Sequence, residues 1–255
     1  MGSWKLSRRE NLCYFSGMIE GIENRIELGF VLIPGAGLPA SIWDEVRKHL
    51  NAPSIAIQYA DRLSSGRKRK DFSIQDYADQ ALGQISQARF KKVILVSHSI
   101  GGIVGLQVAD FLKSRVETMV AVSAAIPKQG KSVLSTVPQP FRILAYTFIN
   151  LFGTTPPRAA IRKTLCNDLP DDVAHEIAND YRAESKLLYF DPNPVGMPAC
   201  SKVYVTLTND KALLLSTQEK MADNFSAKRI RTLDTGHLPM LANPKGLAKI
   251  LNDTL

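Results

Sequence analysis

The feature that most constrains this chain is a short turn between two apolar runs. Lys92 to Ser97 is a near-continuous apolar segment, of the kind buried on both faces in a parallel sheet. Ile100 to Lys113 then takes up helical spacing. Between them stands Ser97-His98-Ser99-Ile100-Gly101-Gly102. A tight strand-to-helix turn pushes its central side chain, here Ser99, clear of the sheet. It admits only small residues two before and two after, because strand and helix are drawn together. Ser97 and Gly101 meet that need, although the usual pattern is G-x-S-x-G and Ser97 departs from it. Ser99 is therefore the candidate nucleophile. A serine that merely caps the helix is the competing reading, and the strand-turn-helix context weighs against it. His98 is expected to point away from Ser99 and to serve structure. The apolar stretch from Val93 to Leu112 does not read as a membrane span, because Ser97, His98, Ser99, Gln107 and Asp110 would be costly in lipid.

The flanking sequence repeats the same alternation. Gly29 to Ile33, Ser54 to Tyr59 and Thr118 to Ala124 read as further strands. Pro39 to Leu50 reads as a helix, and a second opens at Ser73 as N-cap with Asp76 in its first turn. Strand and helix in turn predict an α/β fold, a mostly parallel twisted sheet flanked by helices. The alternation breaks from Pro127 to Cys200, where only helical segments are found. Phe141 to Phe152 is one, ended by Gly153 and Pro156-Pro157. Others are a short helix carrying Ile161 and Leu165, and one from Asp171 through Tyr181. Sheet patterning returns at Val203 to Thr208 and Arg229 to Leu233, with helices at Ser216 to Asn224 and Pro244 to Leu251. The expected organisation is a core of residues 1–126 and 202–255, with residues 127–201 inserted as a helical cap.

A serine hydroxyl needs a base to take its proton. Of the four histidines, His49 and His175 read as surface residues. His237 lies in Thr235-Gly236-His237, a loop at the carboxyl end of the last strand, where ligands gather in open α/β sheets. It is the candidate base. Asp210, at the end of Val203 to Thr208, fits the chain order Ser, acid, His and is the candidate orienting acid. Asp234 is the competitor, but it stands only three residues from His237. A charged tetrahedral intermediate also needs N–H donors. Ile100, following the nucleophile, and Ala36, in the loop Pro34-Gly35-Ala36-Gly37, are the expected backbone donors. Gly35, Phe141, Leu144, Tyr146 and Phe148 are the candidate substrate-binding residues; the aromatic and aliphatic ones either line an apolar pocket under the cap or pack the cap against the core.

Composition closes off other classes. The chain has 255 residues, 45% hydrophobic and 22% charged, which fits an ordinary globular core rather than disorder. The net charge of +8 raises the question of nucleic acid. However, the one dense basic run, Arg67-Lys68-Arg69-Lys70, reads as a solvated loop, and no nucleic-acid motif accompanies it. Met1 to Glu10 has no apolar core of a secretion signal. Cys13, Cys166 and Cys200 form no C-x-x-C pair, so neither a disulfide framework nor a metal site is expected and a reducing, cytoplasmic setting fits. The expected partner is a small-molecule substrate, with no nucleic acid, no membrane span and a homodimer left open.

Taken together, Leu32-Ile33-Pro34-Gly35-Ala36-Gly37 with Trp43, Ser97 to Gly102, Thr208-Asn209-Asp210 and Gly236-His237-Leu238-Pro239-Met240 resemble the α/β-hydrolase superfamily. The closest likeness is to small esterases related to plant methyl esterases and hydroxynitrile lyases. Leu165-Cys166-Asn167-Asp168 through Tyr181-Arg182 also looks like that group. The resemblance covers nearly everything from Gly29 onward, with a short strand pair expected upstream. It implies an eight-stranded, mostly parallel sheet, a helical cap and no cofactor. The family usually has His where Pro34 stands and Gly where Ser97 stands. The activity implied is that of a serine hydrolase, a carboxylesterase acting on a small or medium apolar ester. The alternatives are a carbon–carbon bond-cleaving enzyme of the hydroxynitrile-lyase kind and a small-molecule receptor with slow turnover. Related lyases carry a threonine and a lysine where this chain has Gly35 and Leu238, which disfavours the lyase.

Overall fold

The computed structural model of the chain describes residues 26–255. In chain order the elements are β1 (Ile26–Ile33), α1 (Asp44–Arg47), β2 (Ser54–Ala56), α2 (Ile74–Gln87), β3 (Phe90–His98), α3 (Gly101–Leu112) and β4 (Val116–Val122). Next come α4 (Phe141–Phe152), α5 (Arg158–Thr164), α6 (Asp171–Asp180) and α7 (Leu187–Phe190). The chain ends with β5 (Ser201–Leu207), α8 (Leu215–Phe225), β6 (Arg229–Leu233), α9 (Pro239–Ala242) and α10 (Pro244–Asn252). The strands form one sheet in the order β2-β1-β3-β4-β5-β6, and every neighbouring pair is parallel. The sheet thus has six strands among the described residues, where the resemblance implied eight. The strand pair expected upstream, like Cys13 and the first ten residues, lies outside the described residues.

Two-residue periodicity sorts the strands between two cores. Val31, Ile33, Val93 and Leu95 pack on one face against Tyr77, Ala78 and Ala81 of α2 and Ile103, Val104 and Leu106 of α3. Phe30, Leu32, Ile94 and Val96 pack on the other against Trp43, Leu247 and Leu251. Helices therefore cover both faces, which is why β3 is wholly apolar and buried from Val93 to Val96. Because all strands run the same way, the carboxyl ends of β1, β3, β4, β5 and β6 share one edge of the sheet. The loops carrying Ala36, Ser99, Ser123, Asp210 and His237 leave from that edge.

Local signals account for most boundaries. The Ser73 hydroxyl accepts from Asp76 N–H at 3.2 Å and the Asp76 carboxylate accepts from Ser73 N–H at 2.8 Å, a reciprocal cap on α2. Gly153, at φ +85°, ends α4. The strand expected over Ser54 to Tyr59 shortens to Ser54–Ala56, which among the described residues pairs with β1 alone. The helix expected over Pro39 to Leu50 begins with a tighter 3-10 turn (Ala40–Trp43) before α1, and Ile42, Trp43 and Val46 are buried from it. Among the described residues no helix is long and apolar enough to cross a membrane.

The basic run is solvated, as its composition suggests, at three of its four cations. Arg67, Lys68 and Lys70 are exposed, but Arg69 is only 6% exposed. Its guanidinium donates to Glu184 Oε1 at 3.3 Å, to Ala60 O at 3.3 Å and to Tyr59 O. A cation followed in sequence by an acid more than a hundred residues away carries no local signal of burial.

Candidate active site

Ser99 sits at φ +52°, in the left-handed region that non-glycine residues rarely occupy. The turn is held on both sides. Ser99 N–H donates to Val122 O at 3.2 Å, and Ser99 O accepts from Ala125 N–H at 2.8 Å and Gly102 N–H at 3.0 Å. The small residue required two positions earlier finds its reason in α3. A Cβ on Gly105 would stand 2.1 Å from Ser97 Oγ, so the Ser97 side chain lies against the bare backbone of α3 and its hydroxyl fills the space that glycine leaves. Among the described residues that buried hydroxyl has no hydrogen-bond partner.

His237 and Asp210 meet at Ser99. His237 Nε2 lies 2.9 Å from Ser99 Oγ, and His237 Nδ1 lies 2.7 Å from Asp210 Oδ2. A carboxylate only accepts, so Nδ1 carries the proton and Nε2 is left to accept from the serine hydroxyl. Asp210 is 5% exposed, and all its acceptor capacity is used. Oδ1 accepts from Ala212 N–H and Leu213 N–H, each at 2.8 Å, and Oδ2 also accepts from the Ser123 hydroxyl at 2.7 Å. Burial alone would raise its pKa. The hydrogen bond and charge of His237, with Leu213 N–H and Ser123, outweigh that and hold the carboxyl below the usual range. Asp234 is exposed and accepts from Thr208 Oγ1 and Asn209 Nδ2, bracing the loop that carries Asp210.

Two contributors escaped the sequence reading. Ser123 follows β4 at φ +38° and reaches Asp210 across the strand ends. His98 does point away from Ser99, but it is no bystander. It is fully buried, its Nε2–H donates to His237 O at 2.8 Å, and the two rings lie 4.8 Å apart. Burial and the neighbouring His237 push His98 down to about 3. It therefore stays neutral and places no positive charge beside the His237 ring. A histidine adjacent to the serine was the one available signal, and its partner could not be read from sequence.

The loop after β1 closes the other side. A Cβ on Gly35 would come within 2.9 Å of Ser99 Cβ and 2.8 Å of His98 Nδ1, so only glycine lets the loop approach this closely. Among the described residues neither Ala36 N–H nor Ile100 N–H donates to a protein acceptor. Both residues line a cavity of ≈ 230 Å³ with Ser99, His237, Leu38, Val133, Pro156, Leu165, Tyr181, Tyr189 and Leu213. The expected wall from α4 is absent from it. Phe141, Leu144 and Tyr146 are 64%, 63% and 54% exposed. Phe148 packs on Phe152, and Gly35 lies behind the lining. The buried side of α4 centres on Ile149, and the segments on either side of that helix, through Val133 and Pro156, supply the wall instead.

The helical segment between β4 and β5 also fastens the loops. Asp168 accepts from Gly236 N–H, directly before His237, and Asn167 Nδ2 donates to Asn209 O at 3.0 Å, directly before Asp210. Cys166 is buried and Cys200 half-buried, both as free thiols. Among the described residues no group of three or more His, Cys, Asp or Glu is arranged to hold a metal ion.

Known proteins of this shape are plentiful. Methylesterase 7 of Arabidopsis thaliana is 24% identical over 253 residues, covering 87% of this chain and 94% of that protein. Norfluorocurarine synthase 2 of Strychnos nux-vomica is 24% identical over 255 residues, covering 87% and 93%. An extracellular α/β-hydrolase from a Paenibacillus species, described as sharing structural and functional homology with tobacco salicylic acid binding protein 2, superposes with a TM-score of 0.77. It is 22% identical and covers 89% of this chain and 98% of its own. The sequence model of the Alpha/beta hydrolase family matches residues 30–250, nearly the whole described chain, and this protein belongs to that family.

Proposed function

We propose that the protein is a serine carboxylesterase acting on small, uncharged esters, methyl esters among them. The observation that carries the reading is the unbroken line from Ser99 Oγ to His237 Nε2 at 2.9 Å and from His237 Nδ1 to Asp210 Oδ2 at 2.7 Å. Ser99 attacks the ester carbonyl while His237 takes its proton. Asp210 holds the imidazole in the required tautomer and stabilises its charged form. Ala36 N–H and Ile100 N–H receive the developing oxyanion. His237 protonates the leaving alcohol, then activates water to release the acid from the acyl-enzyme.

The cavity speaks for the substrate class. Apart from Ser99 and His237 its lining is apolar, with Tyr181 and Tyr189 as its aromatic members, and ≈ 230 Å³ suits a compact acyl group. Residues 127–201 act as the cap, which contributes Val133, Pro156, Leu165, Tyr181 and Tyr189 to that lining. The methylesterase relatives support an ester over other acyl bonds. The lyase reading would need a cation beside the base, and the position after His237 is Leu238, fully buried. The free thiols fit a reducing compartment, the cytoplasm.

A fluorophosphonate probe and p-nitrophenyl esters of increasing chain length test this directly. Wild-type protein should be labelled and should turn over the short esters fastest. Ser99→Ala should abolish labelling and lower kcat by about 10⁴-fold or more. Folded wild-type protein that neither labels nor turns over an ester would sink the reading.

A further inference from the structure

The Ala36 loop is held by more than its own sequence. Gly35 O accepts from Leu38 N–H at 3.4 Å, so the peptide that carries Ala36 N–H is fixed at its carbonyl end. The next peptide carries Gly37 N–H, and that group donates to Glu184 Oε1 at 3.0 Å, 147 residues away in sequence. Gly37 O accepts from Arg182 N–H at 3.1 Å. The Tyr181 ring covers the place where a Cβ on Gly37 would stand, at 2.5 Å, and Gly37 itself has φ +71°. Tyr181, Arg182 and Glu184 thus grip one glycine from three directions.

Glu184 is in turn locked. It is 5% exposed. Its Oε2 accepts from the Tyr77 hydroxyl of α2 at 2.6 Å, and its Oε1 also accepts from Arg69 Nη1 at 3.3 Å. Its backbone is pinned by Thr154, whose hydroxyl donates to Glu184 O at 2.7 Å and accepts from Glu184 N–H at 2.9 Å. Arg69 draws further on Tyr59 O and Ala60 O. A buried charged pair is an expensive way to hold a loop. It makes sense where one peptide must not rotate.

We propose that Glu184 is a positioning residue for catalysis. By holding Gly37 N–H it fixes the peptide after Ala36, and so keeps Ala36 N–H aimed at the oxyanion forming on a substrate bound to Ser99. This deepens the esterase reading and depends on it. Without the carboxylate, Gly37 N–H loses its buried acceptor and the Ala36–Gly37 peptide is free to turn toward another. The ground-state cavity barely changes, whereas the transition state loses a preorganised donor. The cap thereby takes part in building the reaction centre as well as covering it.

The test compares wild type with Glu184→Ala, Glu184→Gln and Glu184→Asp. The readouts are p-nitrophenyl acetate hydrolysis, inhibition by a short alkyl trifluoromethyl ketone, which forms a tetrahedral adduct, and melting temperature. E184A should lose about 10- to 100-fold in kcat with KM within about threefold, since a whole oxyanion donor is worth at least the upper figure. Its inhibition constant for the ketone should rise by the same factor as kcat/KM falls, an outcome that loss of stability alone does not produce. E184Q retains an amide oxygen for Gly37 N–H and should stay within about fivefold of wild type. If E184A does not fold, E184D keeps the charge opposite Arg69 while withdrawing the oxygen from Gly37, and should show the same fall in kcat. Wild-type kcat and ketone inhibition in both E184A and E184D, or in E184D alone where E184A is unfolded, would overturn the role of Glu184 and leave the esterase reading standing. An inactive, unlabelled wild type would overturn both.

Discussion

Asp210 and Glu184 are both buried carboxylates with every oxygen engaged, yet their environments push them in opposite directions. Asp210 stands at the carboxyl end of β5 and accepts from two backbone N–H groups, a serine hydroxyl and a histidine ring. Those donors hold its pKa below the usual range despite burial. Glu184 sits in the helical insertion and accepts from one backbone N–H, a tyrosine hydroxyl and Arg69. There burial is the larger effect and its pKa is raised. The count of close donors against loss of hydration, rather than burial alone, decides the sign. The two acids also serve different ends. In the proposed mechanism Asp210 orients a side chain, whereas Glu184 orients a peptide.

The sharpest way to break this contrast is at Asp210. Asp210→Asn keeps the shape but removes the charge and favours the wrong His237 tautomer. It should lower kcat by about 10⁴-fold, equivalent to about 5.5 kcal/mol of transition-state stabilisation, read from p-nitrophenyl acetate kinetics. A loss as small as that of E184Q would mean that the two acids do the same kind of work.

Next in size is the cation beside Glu184. Arg69→Ala strands a buried carboxylate and should cost about 3–5 kcal/mol of stability. Arg67→Ala, two residues earlier, breaks a pair with Asp76 in which the arginine side chain is 47% exposed, and should cost under about 1 kcal/mol. Urea unfolding of both variants measures the difference, and equal losses would contradict the burial of Arg69.

The smallest effect is the pH dependence of stability, and its sign is the informative part. The lowered pKa of Asp210 contributes stability that is present above its unfolded value and is lost as pH falls through the folded one. The raised pKa of Glu184 contributes stability that is present below its unfolded value and is lost as pH rises through the folded one. Relative to wild type, D210N should therefore gain on acidification and E184Q should gain as pH rises. Thermal melts between about pH 2 and 8 read both slopes, and slopes of the same sign would contradict the contrast.

How much of this was legible in the sequence depends on the range of the interaction. The strand-turn-helix at Ser99 and the loops of Asp210 and His237 are announced by local pattern, because small residues, strand ends and chain order are local properties. The same local reading failed on α4. Its apolar composition suggested a pocket wall, but a helix has several faces, and Phe141, Leu144 and Tyr146 turn outward. Ser123 and His98 stood in plain view with no sign of what they touch. Arg69 was hidden inside a run of cations.

The sequence by itself determined the alternation of strand and helix, the point at which a serine leaves the sheet, and the order of Asp210 and His237 behind it. Periodicity and turn chemistry act over a few residues, which one chain of letters displays. Only the tertiary structure decided which face of α4 meets the core, that Ser123 and His98 serve Asp210 and His237, and that Glu184 reaches back 147 residues to Gly37. A buried charge or N–H must find a partner somewhere, but close packing of distant segments, rather than neighbouring sequence, selects which one.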